Sequence, residues 1–254
     1  MSTESDGTGG LRIDILTLFP AMVRAVLGES IVGRAGTSGV AELHAHDIRE
    51  HTDNRHRKVD DRPFGGGPGM VMMCQPLWDC VRHVEGLDPR PTRRILTSPQ
   101  GRPLDQSLVE ELAAEPRLLI IAGHYEGIDE RVVDRLAPEE ISVGDYVLSG
   151  GELPALVLTD AVVRLLPGAL GHQDSAAEDS FSERNLTDAR GTPLASGRLL
   201  DCPHFTRPRV WEDQSVPDVL LSGDHAAVDR WRAEQMIERT RARRPELLED
   251  NDGA

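Results

Sequence analysis

A chain of 254 residues, 39% hydrophobic and 28% charged, has the make-up of a globular protein long enough to bury a proper core. No window approaches the roughly 18 unbroken apolar residues that a bilayer span needs. The opening MSTESDGTGG lacks the apolar centre of a signal peptide, so a cytosolic protein with a disordered tail over residues 1–10 is expected. The net charge of −15 argues, as a sum, against a nucleic-acid partner, but binding depends on where charges lie.

In chain order, LRIDILTLF reads as a first strand, and Pro20 opens a short helix through Leu27. Val40 to His46 reads as a second strand. The polar stretch HTDNRHRKVDDRPFGGGPGM, with Arg55, Arg57 and Lys58 clustered in it, marks a long loop. Arg94 to Thr97 reads as a strand and SPQGRP as a turn. Leu104, Leu108 and Leu112 share one face of a helix expected over Leu104–Ala114. RLLIIA (Arg117–Ala122) is an unbroken apolar run, as in a parallel strand covered on both faces. A helix over Gly127–Leu136, a strand over Glu140–Val143 and an apolar helix over Glu152–Leu166 follow. This alternation predicts an α/β domain with a mostly parallel sheet, residues 11–168.

From Ala169 to Leu200 the apolar periodicity fails and a flexible linker is expected. Beyond it, residues 201–254 form a small, mainly helical domain. Asp224 is a candidate N-cap there, and the helix is expected to stop before Pro245, after the cluster Arg239, Arg241, Arg243 and Arg244. Cys74, Cys80 and Cys202 have neither a zinc spacing nor a disulfide framework and are expected to be reduced thiols. His124, His172, His204 and His225 also lack a metal-site spacing, and no structural metal is assigned.

Three glycine-bearing loops follow predicted strands: SPQG (Ser98–Gly101), GHYEGID (Gly123–Asp129) and GDYVLSGGELP (Gly144–Pro154). In open α/β sheets ligands collect where such loops converge, at the carboxyl ends of strands. None matches a dinucleotide fingerprint or a P-loop, so a different small molecule is expected. Asp174, Glu178 and Asp179 by themselves read as a solvated acidic linker, and Arg164 by itself as a snorkelling or paired arginine.

The loops carry more than their glycines. In order, RIDILTLFP, DDRPFGGGPGM, TSPQG, AGHYEGIDERV, SVGDYVLSGGELPA, PGALGH, EDSF, LLDCPHFTRP, PDVLLSGDHA and RRPELL resemble the bacterial tRNA (guanine-37-N1)-methyltransferase family, from about Leu11 to Leu248. The resemblance implies the SPOUT, or α/β-knot, fold: a parallel sheet whose C-terminal segment passes through a trefoil knot, a rare exception to the rule that chains do not thread loops. It implies S-adenosylmethionine as donor, held by Gly123, Val143, Gly144, Asp145, Tyr146, Val147 and Leu148, with Pro99, Tyr125, Gly150 and Pro154 as nearby walls. It implies a homodimer whose active sites lie between the knot of one subunit and the linker of the other, and a C-terminal domain that binds tRNA. Asp179 matches the family's general base and Arg164 the arginine that stabilises charge on the guanine. Glu126 matches a further contributor, linked to the magnesium on which the family depends; its site is not implied. The resemblance implies guanine 37, preceded by guanine 36, as the target. The chain departs from the family pattern where RNLTDARGTPLASGR separates EDSF from LLDCPH. Two competing readings are a non-catalytic RNA-binding protein and a knot-fold RNA methyltransferase of another target. Intact donor loops with Arg164 and Asp179 argue against the first, and the linker and C-terminal motifs against the second.

Overall fold

The computed structural model describes residues 10–171, 178–187 and 191–249. The tail expected over 1–10, except Gly10, lies outside the described residues, as do His172 and Asp174. The chain divides into two compact units, Met1–Gly171 and His172–Ala254.

The first unit runs β1 (Leu11–Thr17), α1 (Pro20–Leu27), α2 (Ser30–Thr37), β2 (Ala41–Asp47), the two-residue strands β3 (Asp60–Asp61) and β4 (Val71–Met72), α3 (Cys74–Gly86), β5 (Arg93–Pro103), α4 (Gln106–Ala113), β6 (Arg117–Ala122), α5 (Glu130–Leu136), β7 (Glu139–Ser142) and α6 (Glu152–Leu165). The central sheet has the order β2-β1-β6-β5-β7 and every pairing in it is parallel. β6 shows why the sheet forms here. Leu118, Ile120 and Ala122 face α1, α2, α4 and α6, whereas Leu119 and Ile121 face α3 and α5. A strand buried on both faces has no polar side to alternate with, hence the unbroken RLLIIA.

The expected α/β architecture with a mostly parallel sheet is present, with three differences in detail. SPQGRP is not a free turn: β5 continues through it to Pro103, and after a register shift Arg102 pairs with Ile141 and Pro103 with Ser142. Gly101 makes this possible, because a Cβ there would collide with the Glu140 backbone. α2 and α3 had no sequence counterpart. α2 carries two glycines in eight residues, which dilutes its helical signal, yet Gly33 is needed where the backbone of Gly28 presses against it. α3 has Pro76 in its first turn, where the missing N–H has no helical acceptor to lose. α5 starts at Glu130 and not Gly127; Asp129 caps it by accepting from the Arg131 amide.

A charged cluster is buried between β1, β2, β6 and α3. Asp14 and Arg117 are fully buried. Arg12 donates to both Asp14 oxygens at 2.8 Å, Arg117 Nε donates to Oδ2 at 2.9 Å, and His46 Nε2 lies 2.8 Å from Oδ1. Arg117 also donates to the carbonyls of Val84 (2.6 Å) and Asp88 (2.7 Å), tying the end of α3 to the sheet. Burial alone pushes the Asp14 carboxyl up. Hydrogen bonds from His46 and Arg12 and the charges of Arg12 and Arg117 more than reverse this, holding it well below the usual carboxylate range. A depressed folded-state value means that this stabilisation is complete above the unfolded aspartate value of about 3.9 and is lost as pH falls from there towards the folded value. Asp14→Ala, which strands two buried guanidinium groups, is expected to cost about 3–5 kcal/mol in urea unfolding at neutral pH. The difference between variant and parent should shrink in strongly acidic solution.

The second unit contains the antiparallel hairpin β8 (Glu183–Thr187) and β9 (Pro193–Arg198), the small ladder β10 (Val210–Trp211) and β11 (Gln214–Ser215), a 3-10 turn at Asp218–Leu221, and helices α7 (His225–Arg243) and α8 (Glu246–Glu249). Asp224 caps α7 by accepting from the Ala227 amide at 3.1 Å, and α7 ends before Pro245, both as the sequence predicts. The stretch read as a flexible linker, 169–200, therefore contains ordered strands where it is described. β8 escaped notice because ERNLT has one apolar residue; its alternation is exposed Glu183, Asn185 and Thr187 against half-buried Arg184 and Leu186. Among the described residues, no helix is long and apolar enough to cross a membrane.

Candidate active site

The Ser98–Gly101 segment within β5 and the loops that leave β6 and β7 at their carboxyl ends line a cavity of about 440 Å³, within the usual range of small-molecule sites. Its walls are Pro99 from the irregular middle of β5; Gly123, Tyr125 and Glu126 from the second glycine-bearing loop; Val143, Gly144, Tyr146, Val147, Leu148 and Gly150 from the third; and Pro154 from the start of α6. Eleven sequence-predicted positions thus converge. Asp145 does not line the cavity; it is exposed in the same loop as its lining neighbours.

Close backbone approach holds the loops together. The Gly151 amide donates to Gly123 O at 2.7 Å, and the Thr97 hydroxyl lies 3.3 Å from the carbonyls of both Ile121 and Gly151. The third loop therefore runs from the edge strand β7 back to the end of β6, past Thr97 of β5. Gly144 (φ 146°) sits under the Tyr146 ring, whose hydroxyl donates to Val143 O at 3.2 Å. Tyr125 has φ 64°, a left-handed conformation that an aromatic residue adopts only at a cost of about 1–3 kcal/mol and that tends to cluster at functional sites. Tyr146, Val147 and Leu148 are all exposed, Val147 by 87%, which leaves apolar surface for a ligand or partner to cover.

Sequence reasoning missed one polar group of the cavity wall, His124, and a buried carboxylate behind it, Glu152. Glu152, in the first turn of α6, is buried and accepts from the Thr17 hydroxyl at 2.8 Å. Its other oxygen is 3.6 Å from His124 Nδ1, too long for a hydrogen bond. His124 lines the cavity, and its ring packs 4.9 Å from Phe19 and 5.0 Å from Tyr125. Its Nδ1 is buried without a hydrogen-bond partner, a condition that calls for a bound group. An acid at the start of an apolar helix reads in sequence as helix-dipole complementarity, which concealed Glu152.

Glu126 is held from the glycine-rich stretch before β4. Its amide donates to Met70 O at 3.0 Å, and its side chain occupies the space that a Cβ on Gly69 (φ 78°) would need. The Arg49 guanidinium donates to the Tyr125 hydroxyl at 3.2 Å. Arg164 does not reach this cavity. It lies in the last turn of α6, 12 residues after Glu152, or about 18 Å along the helix axis. Asp179 belongs to the second unit, in the turn before β8.

A family model described as tRNA (Guanine-1)-methyltransferase TrmD matches residues 11–250. Curated relatives named tRNA (guanine-N(1)-)-methyltransferase include one from Pseudomonas fluorescens, 54% identical over 94% of this chain and 90% of the relative. One from Halorhodospira halophila is 54% identical over 93% and 84%, and one from Rhodopirellula baltica is 50% identical over 95% of each chain.

Proposed function

This chain belongs to the tRNA (guanine-1)-methyltransferase family, and on that premise we propose that it transfers a methyl group from S-adenosylmethionine to N1 of guanine 37, after guanine 36, in tRNA. The observation that carries the reading is the strand-end cavity, with an unpartnered buried nitrogen on one wall and exposed apolar side chains on another. That combination suits a donor with a polar purine edge and an apolar methylene body. Gly123, Val143, Gly144, Tyr146 and Leu148 would hold it through backbone groups and apolar contact, with Pro99, Tyr125, Val147, Gly150 and Pro154 around them and Asp145 at the rim. When bound, S-adenosylmethionine supplies an electrophilic methyl group on a sulfonium.

The chain's own residues then have defined tasks. Asp179 takes the N1 proton so that the ring nitrogen becomes nucleophilic, a general-base role typically worth about 10²–10⁴-fold. Arg164 stabilises the negative charge that develops on O6. Glu126 is the carboxylate that would hold a magnesium ion.

A second copy of the chain completes this site. The remoteness of Arg164 from the cavity within one chain supports that reading, as do the exposed apolar residues Leu153 and Val157 on α6 and Met22 and Val26 on α1. The return of the third loop to Gly123, beneath Thr97, supports a trefoil knot in the first unit. The exposed Arg241 and Arg243 at the end of α7 support tRNA binding by the second unit, despite the acidic sum of charges. Such an enzyme works in the cytoplasm, where its tRNA substrate is found. The purified protein with labelled donor and magnesium is expected to methylate a transcript carrying guanine at 36 and 37, and to leave one with adenine at 37 unlabelled. Equal labelling of both would overturn the proposal.

A further inference from the structure

The four residues Asp179–Ser182 are fastened from several directions within the second unit. The Arg184 guanidinium donates to Asp179 O at 3.2 Å, and Arg198 donates to Phe181 O at 2.8 Å. The Phe181 amide donates to Leu199 O at 2.9 Å, and the Asp201 amide to the Ser180 hydroxyl at 2.9 Å. Phe181 is left-handed (φ 69°), so the chain reverses sharply just after Asp179. Its ring lies 5.7 Å from the Arg244 guanidinium, a cation–π contact.

The hairpin supplies this geometry. β8 pairs with β9 so that Glu183 faces Arg198 and Arg184 faces Gly197. Neighbouring residues of a strand point to opposite faces, so Arg184 and Arg198 reach back to the turn from the two sides of the ribbon. The far strand returns the chain beside Ser180 and Phe181. Leu199 is fully buried, and the Leu200 amide donates to the Thr240 hydroxyl of α7 at 3.0 Å. Arg184 also approaches Met236 Sδ of α7 at 3.6 Å. The turn bearing Asp179 is thus tied to α7 through the hairpin before any RNA is present.

We propose that the paired strands β8 (Glu183–Thr187) and β9 (Pro193–Arg198) are a preorganising clamp for the general base, with Arg184 and Arg198 as positioning residues that hold the backbone of Asp179 and Phe181. The inference rests on the reading of Asp179 as the base. Fixing a reactive group beforehand removes an ordering cost from the reaction, and a displacement of about 1 Å can cost 10²-fold in rate. Neither arginine needs to touch the guanine.

The test is a cycle on the full-length enzyme. Arg184→Ala/Arg198→Ala is made both in the parent and in Asp179→Asn, and single-turnover rates are measured at saturating donor. In the parent the pair is expected to lower the rate about 10- to 100-fold with donor affinity unchanged. In Asp179→Asn it should cost nothing further, because residues that act through one group are non-additive with its loss. Arg184→Lys/Arg198→Lys, which keeps a donor for each carbonyl, should recover part of the rate. The Phe181 and Asp201 amides should exchange slowly in the free parent and rapidly in the double alanine variant. An unchanged rate in the parent, or the same fold-loss in both backgrounds, overturns the clamp while leaving a crippled Asp179→Asn intact. Full activity of Asp179→Asn instead removes the base reading, and the proposal with it.

Discussion

Asp179→Asn is expected to lower kcat by about 10²–10⁴-fold, the usual worth of a general base, and to leave donor binding unchanged. Asparagine keeps the size of aspartate and can still hydrogen-bond, but it does not take up a proton at neutral pH. The cavity residues all belong to the first unit, whereas Asp179 belongs to the second. Donor affinity measured by calorimetry should therefore stay at the parent value while single-turnover methyl transfer collapses. A variant that kept the parent rate would take Asp179 out of the chemistry.

The second large effect is expected at Gly151. This buried residue closes the gap between the ends of β5 and β6, and an added Cβ would meet the Thr97 hydroxyl, Gly123 N at 2.7 Å and Ala122 Cα at 2.9 Å. Two of these are backbone atoms and have no rotamer to adopt, so the strand ends themselves must shift. Overpacking of this kind typically costs about 1–3 kcal/mol, and here the strain falls on the hydrogen bond between Gly151 and Gly123 that shapes the cavity. Gly151→Ala is expected to lower the unfolding midpoint and weaken donor binding by at least about tenfold, corresponding to roughly 1.4 kcal/mol. Gly86→Ala is the control: a Cβ there meets nothing within 4 Å, and donor affinity should be unaffected.

How far sequence leads is decided by how local the cause is. α1 and β6 were legible because Pro20 and the run RLLIIA act through their own backbone and burial. The capping of α7 by Asp224 was legible for the same reason. β5 was truncated in the sequence reading, since Pro99 and Gly101 signal a break and only the distant β7 reveals that pairing resumes. β8 was hidden because the half-burial of Arg184 depends on α7, 52 residues away.

The candidate site divides along the same line. Its loops were marked by glycines, and eleven of the residues that line them follow from motif resemblance. His124 and Glu152 were not found, because their proximity brings the end of one strand to the start of a later helix, with Thr17 from β1 bonded to Glu152. Arg164 has nothing in its local sequence that marks it for chemistry, and the full length of α6 separates it from the cavity. The role proposed for it, like that proposed for Asp179, rests on family resemblance.

The central claim is that the strand-end cavity presents a methyl group to one nitrogen of one purine. Nuclease digestion of tRNA methylated by the purified protein, followed by mass spectrometry of the fragments, addresses it directly. The account predicts a single added methyl group on the nucleotide at position 37, released as 1-methylguanosine. A methyl group on a different nucleotide, or on another atom of that guanine, would contradict it.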